Sequence, residues 1–362
     1  EGSEFSMDRQ QWQDFLSSQG AKWIDGAVAF DDAPDTGVSK ALQLIDLSPM
    51  GAISVVGPDS QKFLQGQLTC DLVNLPDEQL TLGSHCNPKG RMISAFHALK
   101  IDPSEFVLLM PRDLVPTALA ALKKYAVFFK AELSDISGQY QWLSLVGRDA
   151  GPASSQLLNL SNSTDADLLP GQLRTFDHNG HRAIAACIGE RNVLLQVPLE
   201  QVADLWQKLA AGAGPVLPGS YNTWQQQLIE SGLPQLHLST SESFIPQMLN
   251  LHLLGGVSFK KGCYTGQEVV ARMQYLGAAK RRMFRAKTDG GSLPQPGDEI
   301  IVPTGGSSVG NLVQACRSGT EIEILAVLTK SKVAEGDSLQ LADGRVLELQ
   351  ELPYDADADP LT

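Results

Sequence analysis

No run of apolar residues in this chain approaches the ~20 that a membrane-spanning helix needs, and the amino terminus carries no signal-type apolar stretch. Cysteine is sparse and odd in number: Cys70, Cys86, Cys187, Cys263 and Cys316. No two of them are three residues apart, which excludes CxxC zinc and thioredoxin-type sites and argues against a disulfide framework. A reducing cytoplasm is the expected compartment. Cations are scarce as well, with 28 Lys and Arg against 41 Asp and Glu and a net charge of −13. A polyanion or an anionic bilayer repels such a chain. Tight direct nucleic-acid binding and membrane attachment are therefore not expected, and any RNA contact needs a local basic patch. The sequence has no P-loop, no glycine-rich dinucleotide turn and no Ser-His-Asp arrangement. Its six histidines form no ligand pattern, so no metal site is expected.

What is present is an ordinary globular composition over 362 residues, enough for two to three domains at about 150 residues each. Residues 1–6, "EGSEFS", read as an expression scar ahead of Met7. From 7 to 285 strand-like and helix-like patterns alternate, which predicts an α+β body. "AISVVG" reads as a strand, followed by a helix over "PDSQKFLQGQLTCDL" with Asp59 or Ser60 at its start. "VLLMPRDLVPTALAAL" (Val107 to Leu122) parallels "VLLQVPLEQVADLWQKL" (Val193 to Leu209): a strand, a proline, then an amphipathic helix. That weak repeat points to duplicated, intertwined modules. After residue 285 short β-rich runs are broken by Pro-Gly, Gly-Gly and Asp343-Gly344 turns, which predicts a small β-barrel over 286–354. The acidic tail, 355–362, is expected to be loose.

The densest chemistry lies in "FKKGCYTGQEVVAR", Phe259 to Arg272. Thr265 and Glu268 have capping-box spacing, with Thr265 as N-cap of a helix through Val269, Val270 and Met273 that stops near Gly277. Cys263 then precedes a helix amino terminus with Lys260 and Lys261 beside it, an arrangement that favours a thiolate. Gly262 and Gly266 permit tight turns and close approach. Residues 260–285 hold seven cations (Lys260, Lys261, Arg272, Lys280, Arg281, Arg282, Arg285) against Glu268 alone, a basic strip suited to an anionic ligand. On these residues alone Cys263 is a reactive thiol, a metal ligand with His85 and Cys86, or a small core residue. Cys187 and Cys316 lie in strand-like runs and read as core.

Several segments closely resemble the bacterial YgfZ family: "FLQGQLTCDL" (63–72), "HCNPKGRM" (85–92), "LKKYAVFFK" (122–130), "ESGLPQ" (230–235), "FIPQMLNL" (244–251) and "GGVSFKKGCYTGQEVVAR" (255–272). KGCYTGQE, with Lys261, Gly262, Tyr264, Thr265, Gly266, Gln267 and Glu268 around the cysteine, is that family's hallmark. The resemblance runs from about Leu42 to Tyr354. It implies kinship with the glycine-cleavage T-protein, hence a folate-binding body of duplicated modules around a central cavity, plus a carboxy-terminal barrel. It also implies tetrahydrofolate or a derivative as cofactor, a monomer, and a role in maintaining iron–sulfur enzymes, including tRNA-thiolating ones. By motif, Cys263 matches the family's functional cysteine and Trp224 a folate-site tryptophan. Glu230 takes the place of a pterin-contacting acid, and Arg272 belongs to the basic strip that would meet the folate tail. Met50 stands where some relatives have a second folate-site tryptophan, and Ser94 stands where T-proteins have a catalytic aspartate. A serine supplies neither the charge nor the proton acceptor, which leaves enzyme activity open between an accessory factor and an aminomethyl transferase.

Overall fold

The computed structural model describes residues 8–31, 41–160, 167–211, 216–275, 279–303 and 307–358. Among them no helix is long and apolar enough to cross a membrane. Three larger sheets and a two-stranded hairpin, Lys22–Ile24 with Ala27–Ala29, carry the described residues. The first has the strand order Gln79–Cys86, Met92–Asp102, Glu105–Pro111, Met50–Val56, Glu132–Asp135. The second has the order Leu173–His178, His181–Gly189, Asn192–Pro198, Tyr140–Val146, Leu42–Asp46, Val216–Gly219. The first two share one course. A strand (Met50–Val56 or Tyr140–Val146) runs into a short helix (Ser60–Gln65 or Ala150–Leu157) and then a three-stranded meander. The meander ends in a proline, a 3-10 turn (Arg112–Leu114 or Leu199–Gln201) and a helix, Val115–Ala126 or Val202–Ala210. The two prolines even share a backbone conformation, φ −53° and ψ 136° at Pro111 against φ −52° and ψ 134° at Pro198. Proline fixes φ there and ends the ladder, so the chain must leave the sheet and turn into the helix. The courses differ at one edge, where Leu42–Asp46 is inserted and pairs in parallel with Val216–Gly219.

Glycine marks the other corner of each course. Gly57 and Gly147 leave the first strands with φ +144° and +155°, a region that side chains avoid. A β-carbon on Gly57 would also fall 2.3 Å from the Lys130 carbonyl oxygen.

The inner faces of the two sheets meet in a core that includes Met50, Leu109, Trp142, Leu194, Tyr221, Trp224 and Leu228. The outer face of the first sheet is covered by its helices and by the segment 244–270. The helix Arg9–Ser18 is fastened across the second sheet. Its Trp12 indole donates to buried Asp46 at 2.8 Å, and Gln141 donates to the same carboxylate at 2.7 Å. Burial pushes the Asp46 carboxyl up, against the pull of these donors.

The third sheet, ordered Gln340–Leu341, Glu299–Val302, Ser307–Ser318, Glu321–Thr329, Arg281–Asp289, Glu348–Gln350, curls into a half-barrel. Its strand Arg281–Asp289 runs straight across the boundary expected at 285/286, because Arg282 and Arg285 already sit in the ladder with Glu321–Thr329. The described part of the tail is pinned rather than loose, since Asp357 accepts from Arg282 at 2.7 Å and Lys330 at 3.3 Å. Residues 359–362, like residues 1–7 with the expected scar, lie outside the described residues.

Gly57→Ala should lower unfolding free energy by about 2 kcal/mol or more, combining positive-φ strain with the carbonyl clash. Gly138→Ala, with nothing within 4 Å of the added carbon, should be close to neutral in the same urea titration.

Candidate functional site

The KGCYTGQE loop is a clamp on two other segments. Lys261 is buried, and its ammonium donates to the main-chain carbonyls of Leu68 at 2.6 Å and Cys70 at 2.7 Å. Burial pushes this amine down to about 8. The Tyr264 ring is buried beneath it, 5.2 Å from the ammonium. Gly266, at φ +84°, passes so close to the 87–90 turn that a β-carbon would lie 2.5 Å from the Asn87 carbonyl oxygen. Gly90, at φ +72°, leaves the matching space for Val269. Thr69 adds two bonds to the segment before the loop, its hydroxyl donating to Gly256 O at 2.6 Å and its carbonyl accepting from Ser258 at 2.9 Å. The segment 244–251 is tied to the same hairpin by Met92 N to Phe244 O at 2.8 Å.

Between the buried anchors Lys261 and Tyr264, Gly262 and Cys263 face solvent. Cys263 is exposed, whereas Cys70, Cys86, Cys187 and Cys316 are buried. Burial raises the thiols of Cys70 to about 11 and Cys86 to about 12, and raises those of Cys187 and Cys316 as well.

Two expectations about this loop are corrected. The helix spans Gln267–Tyr275, and its first bond runs from Val270 N to Gly266 O, so Gly266 rather than Thr265 precedes it. The close passage against Asn87 demands glycine at 266 and delays the helix beyond it. Its expected end near Gly277 lies outside the described residues. Cys263 therefore stands farther from the helix terminus than the capping-box spacing predicts, and the field there fades within a turn. The Lys261 charge is also spent on carbonyls inside the protein. The basic strip is not one surface either. Arg285 pairs with Glu323 at 2.7 Å and Arg282 with Asp357, which leaves Lys260, Arg272, Lys280 and Arg281 without ion pairs among the described residues. Glu268 and Arg272 are exposed on the helix.

The expected folate residues lie elsewhere in the fold. Trp224 and Met50 share the core between the first two sheets, with Trp224 1% exposed. Gln235 donates to the Met50 sulfur at 3.3 Å. Glu230 ends the helix Tyr221–Glu230, and its two oxygens accept from Gln226 at 3.1 Å and Gln227 at 3.0 Å. Beside this helix opens a cleft of about 1080 Å³, to which all three sheets contribute neighbouring segments: Pro49 and Asp113, Tyr221 and Gln226, Gln314 and Arg317. Trp224 lies behind that wall rather than on it, its ring 5.4 Å from that of Tyr221. The helical period explains this, since residues 221, 224 and 228 face the core and only the first reaches the cleft. Gln314 is buried, accepts from Gln235 N at 2.7 Å, and has an amide nitrogen with no hydrogen-bond partner among the described residues. The Trp224 indole nitrogen is likewise without one. Sequence reasoning missed Tyr221, Gln314, Asp113 and His237, which come from four separated stretches and carry no motif.

Ser94 is fully buried, cross-strand from His85. Neither its hydroxyl nor either His85 ring nitrogen has a partner among the described residues. Burial pushes His85 down to about 4, so it is neutral at physiological pH. No group of three or more His, Cys, Asp or Glu side chains with metal-holding geometry occurs among the described residues.

The GCVT N-terminal domain matches residues 30–261. The tRNA-modifying protein YgfZ of Colwellia psychrerythraea is 36% identical over 71% of this chain and 75% of its own length. That of Edwardsiella ictaluri is 34% identical over 87% and 93%. Among solved structures, the glycine cleavage system aminomethyltransferase T from Bartonella henselae superposes with a TM-score of 0.75, covering 96% of this chain and 98% of that one at 17% identity. At that identity the likeness is one of fold.

Two measurements follow. Native protein should take up one equivalent of iodoacetamide, at Cys263, and Cys263→Ser should take up none until denaturant exposes the buried thiols; intact mass gives the count. Acid should also destabilise the fold through His85. The unfolded imidazole protonates near 6.5 and the folded one near 4, so stability falls as pH drops between them. The loss from His85 reaches about 3 kcal/mol; burial pushes His97 down to about 4 as well, so His85→Leu should remove only part of the slope of the urea stability profile there.

Proposed function

The chain belongs to the family of the tRNA-modifying protein YgfZ, and from that premise we propose that it is a folate-binding accessory protein. In this reading it is a cytoplasmic monomer that maintains iron–sulfur enzymes, tRNA-thiolating ones among them, with Cys263 as its working thiol. The observation that carries the reading is the presentation of Cys263. Among five cysteines it alone is exposed, on a loop held from both sides by buried Lys261 and Tyr264. Binding alone needs no such thiol.

The ligand would be tetrahydrofolate or a derivative, which supplies a carrier for one-carbon units. The residues suit such a molecule. The cleft has ample room, small-molecule sites being about 300–1,000 Å³. Tyr221 and Pro49 offer flat and apolar walls, and the free Gln314 amide donor seeks an acceptor. Met50 packs as a polarizable wall behind. Glu230 can still accept from a pterin edge, because a carboxylate has about four acceptor sites. Arg272, exposed on the loop helix, would meet an anionic tail only if the tail extends to that face. The shared course of the first two sheets supports reading them as duplicated modules, with this cleft as the mouth of their cavity.

The second reading is a folate-dependent aminomethyl transferase, favoured by the fold. Ser94 weighs against it, because a buried hydroxyl cannot take the part of an ionised aspartate. General acid–base help is worth about 10²- to 10⁴-fold in rate.

Tetrahydrofolate should quench tryptophan fluorescence saturably, and Trp224→Ala should weaken the response. Absence of any quenching or calorimetric signal removes the folate reading. Methylene-tetrahydrofolate formation from an aminomethyl donor should stay near background; robust turnover would favour the transferase instead. In cells, Cys263→Ser should lower tRNA thiolation and iron–sulfur enzyme activity at unchanged protein level.

A further inference from the structure

The turn after the helix Val115–Ala126 shows an arrangement that neither the cleft nor the cysteine loop uses. Phe128 is 84% exposed, Val127 75% and Tyr125 40%. These are adjacent apolar side chains turned to water in a place where the backbone is firmly held. Phe129, the next residue, is tucked in against Phe63 at 5.4 Å between ring centres. Its amide donates to Ala126 O at 2.9 Å. Lys130 N donates to the Asp59 carboxylate at 2.9 Å, and Asp59 N returns a bond to Lys130 O at 3.2 Å. Phe128 is thus presented outward by an ordered turn, at a hydration cost that folding does not require.

The rim is basic. Lys123, Lys124 and Lys130 are exposed, and none pairs with a carboxylate among the described residues. On a chain of net charge −13 this is a local reversal of sign. The turn that carries the patch shares a buried apolar cluster with the anchors of the thiol loop. Phe63 lies in the helix Ser60–Gln65, and the chain from that helix leads directly to the Leu68 and Cys70 carbonyls that hold Lys261. One apolar cluster includes Phe63, Leu64, Leu68 and Cys70, with Phe129 and Phe259 packed on it.

We propose that Tyr125, Val127 and Phe128, rimmed by Lys123, Lys124 and Lys130, are the docking surface for the iron–sulfur enzyme partner, which meets them with an apolar socket edged by carboxylates. This rests on the accessory-protein reading above. A protein is favoured over RNA because Val127 gains only from burial and offers nothing to a base or phosphate. It is favoured over an anionic bilayer because the remainder of this acidic chain would be held against that surface. Apolar anchors with a polar rim are the usual anatomy of a protein contact.

The test uses full-length protein and a purified, cluster-loaded tRNA-thiolating enzyme as probe. Wild type should associate in a salt-sensitive manner. Phe128→Ser and Lys124→Glu should each weaken association at least tenfold, with melting temperature, Cys263 alkylation and folate quenching unchanged. Variants that bind as tightly as wild type overturn the proposal, and so does a wild type that binds folate but not the enzyme. Phe128-dependent binding of bare tRNA or of phosphatidylglycerol vesicles, without binding to the enzyme, also overturns it and assigns the patch to that polyanion. Wild type that binds the enzyme through Phe128 yet shows no folate signal leaves the docking surface standing and removes only the folate reading.

Discussion

A buried ammonium, with no carboxylate in ion-pair range among the described residues, holds the cysteine loop against the first sheet's helix-to-strand connection. Lys261 reaches two main-chain carbonyls, Leu68 O and Cys70 O, that lie nearly 200 positions away in the chain. Removing the amine would strand both acceptors inside the protein, and an unmade buried hydrogen bond costs more than a made one gains. With Lys261 and Tyr264 inward, Gly262 and Cys263 have only solvent to face. The exposure of the thiol is thus a consequence of what its neighbours bury. Gly90 and Gly266 finish the arrangement by letting two backbones pass where any side chain would collide.

Some of the buried polar groups without partners lie near the cleft and the thiol loop. His85, Ser94, the Trp224 indole and the Gln314 amide are all buried without protein partners among the described residues. Proteins rarely leave such groups unsatisfied, and where they do the vacancy is often put to use. Gln314 lines the cleft and Trp224 lies behind its wall, while His85 and Ser94 sit in the hairpin next to the thiol loop. Trp224 packs in the core between the first two sheets, whereas Cys86 and Met92, beside that hairpin turn, pack in the cluster on the outer face of the first sheet.

Much of the fold was legible in the sequence. The strand, proline and helix of both courses could be read from "VLLMPRDLV" and "VLLQVPLEQV", because proline and hydrophobic period act locally. The glycine- and turn-rich texture of the carboxy-terminal part announced a β sheet. The domain border was less legible, since Arg281–Asp289 is charged yet lies in a ladder that its partner strand defines. The capping-box spacing at Thr265 misled for a similar reason: the close passage of Asn87 overrode a local preference.

The sequence by itself determined the α+β class, the reading of Cys187 and Cys316 as core, and the family hallmark KGCYTGQE. These follow from composition, period and motif, which any segment carries with it. Only the tertiary structure decided where the charges went. Lys261 turned inward, Arg282 and Arg285 were neutralised by Asp357 and Glu323, and the apparent basic strip was reduced to scattered cations. It also placed Trp224 behind Tyr221, and assembled a cleft from Pro49, Asp113, Tyr221 and Gln314. The physical reason is that burial and pairing belong to neighbours in space, and the sequence order names only neighbours along the chain.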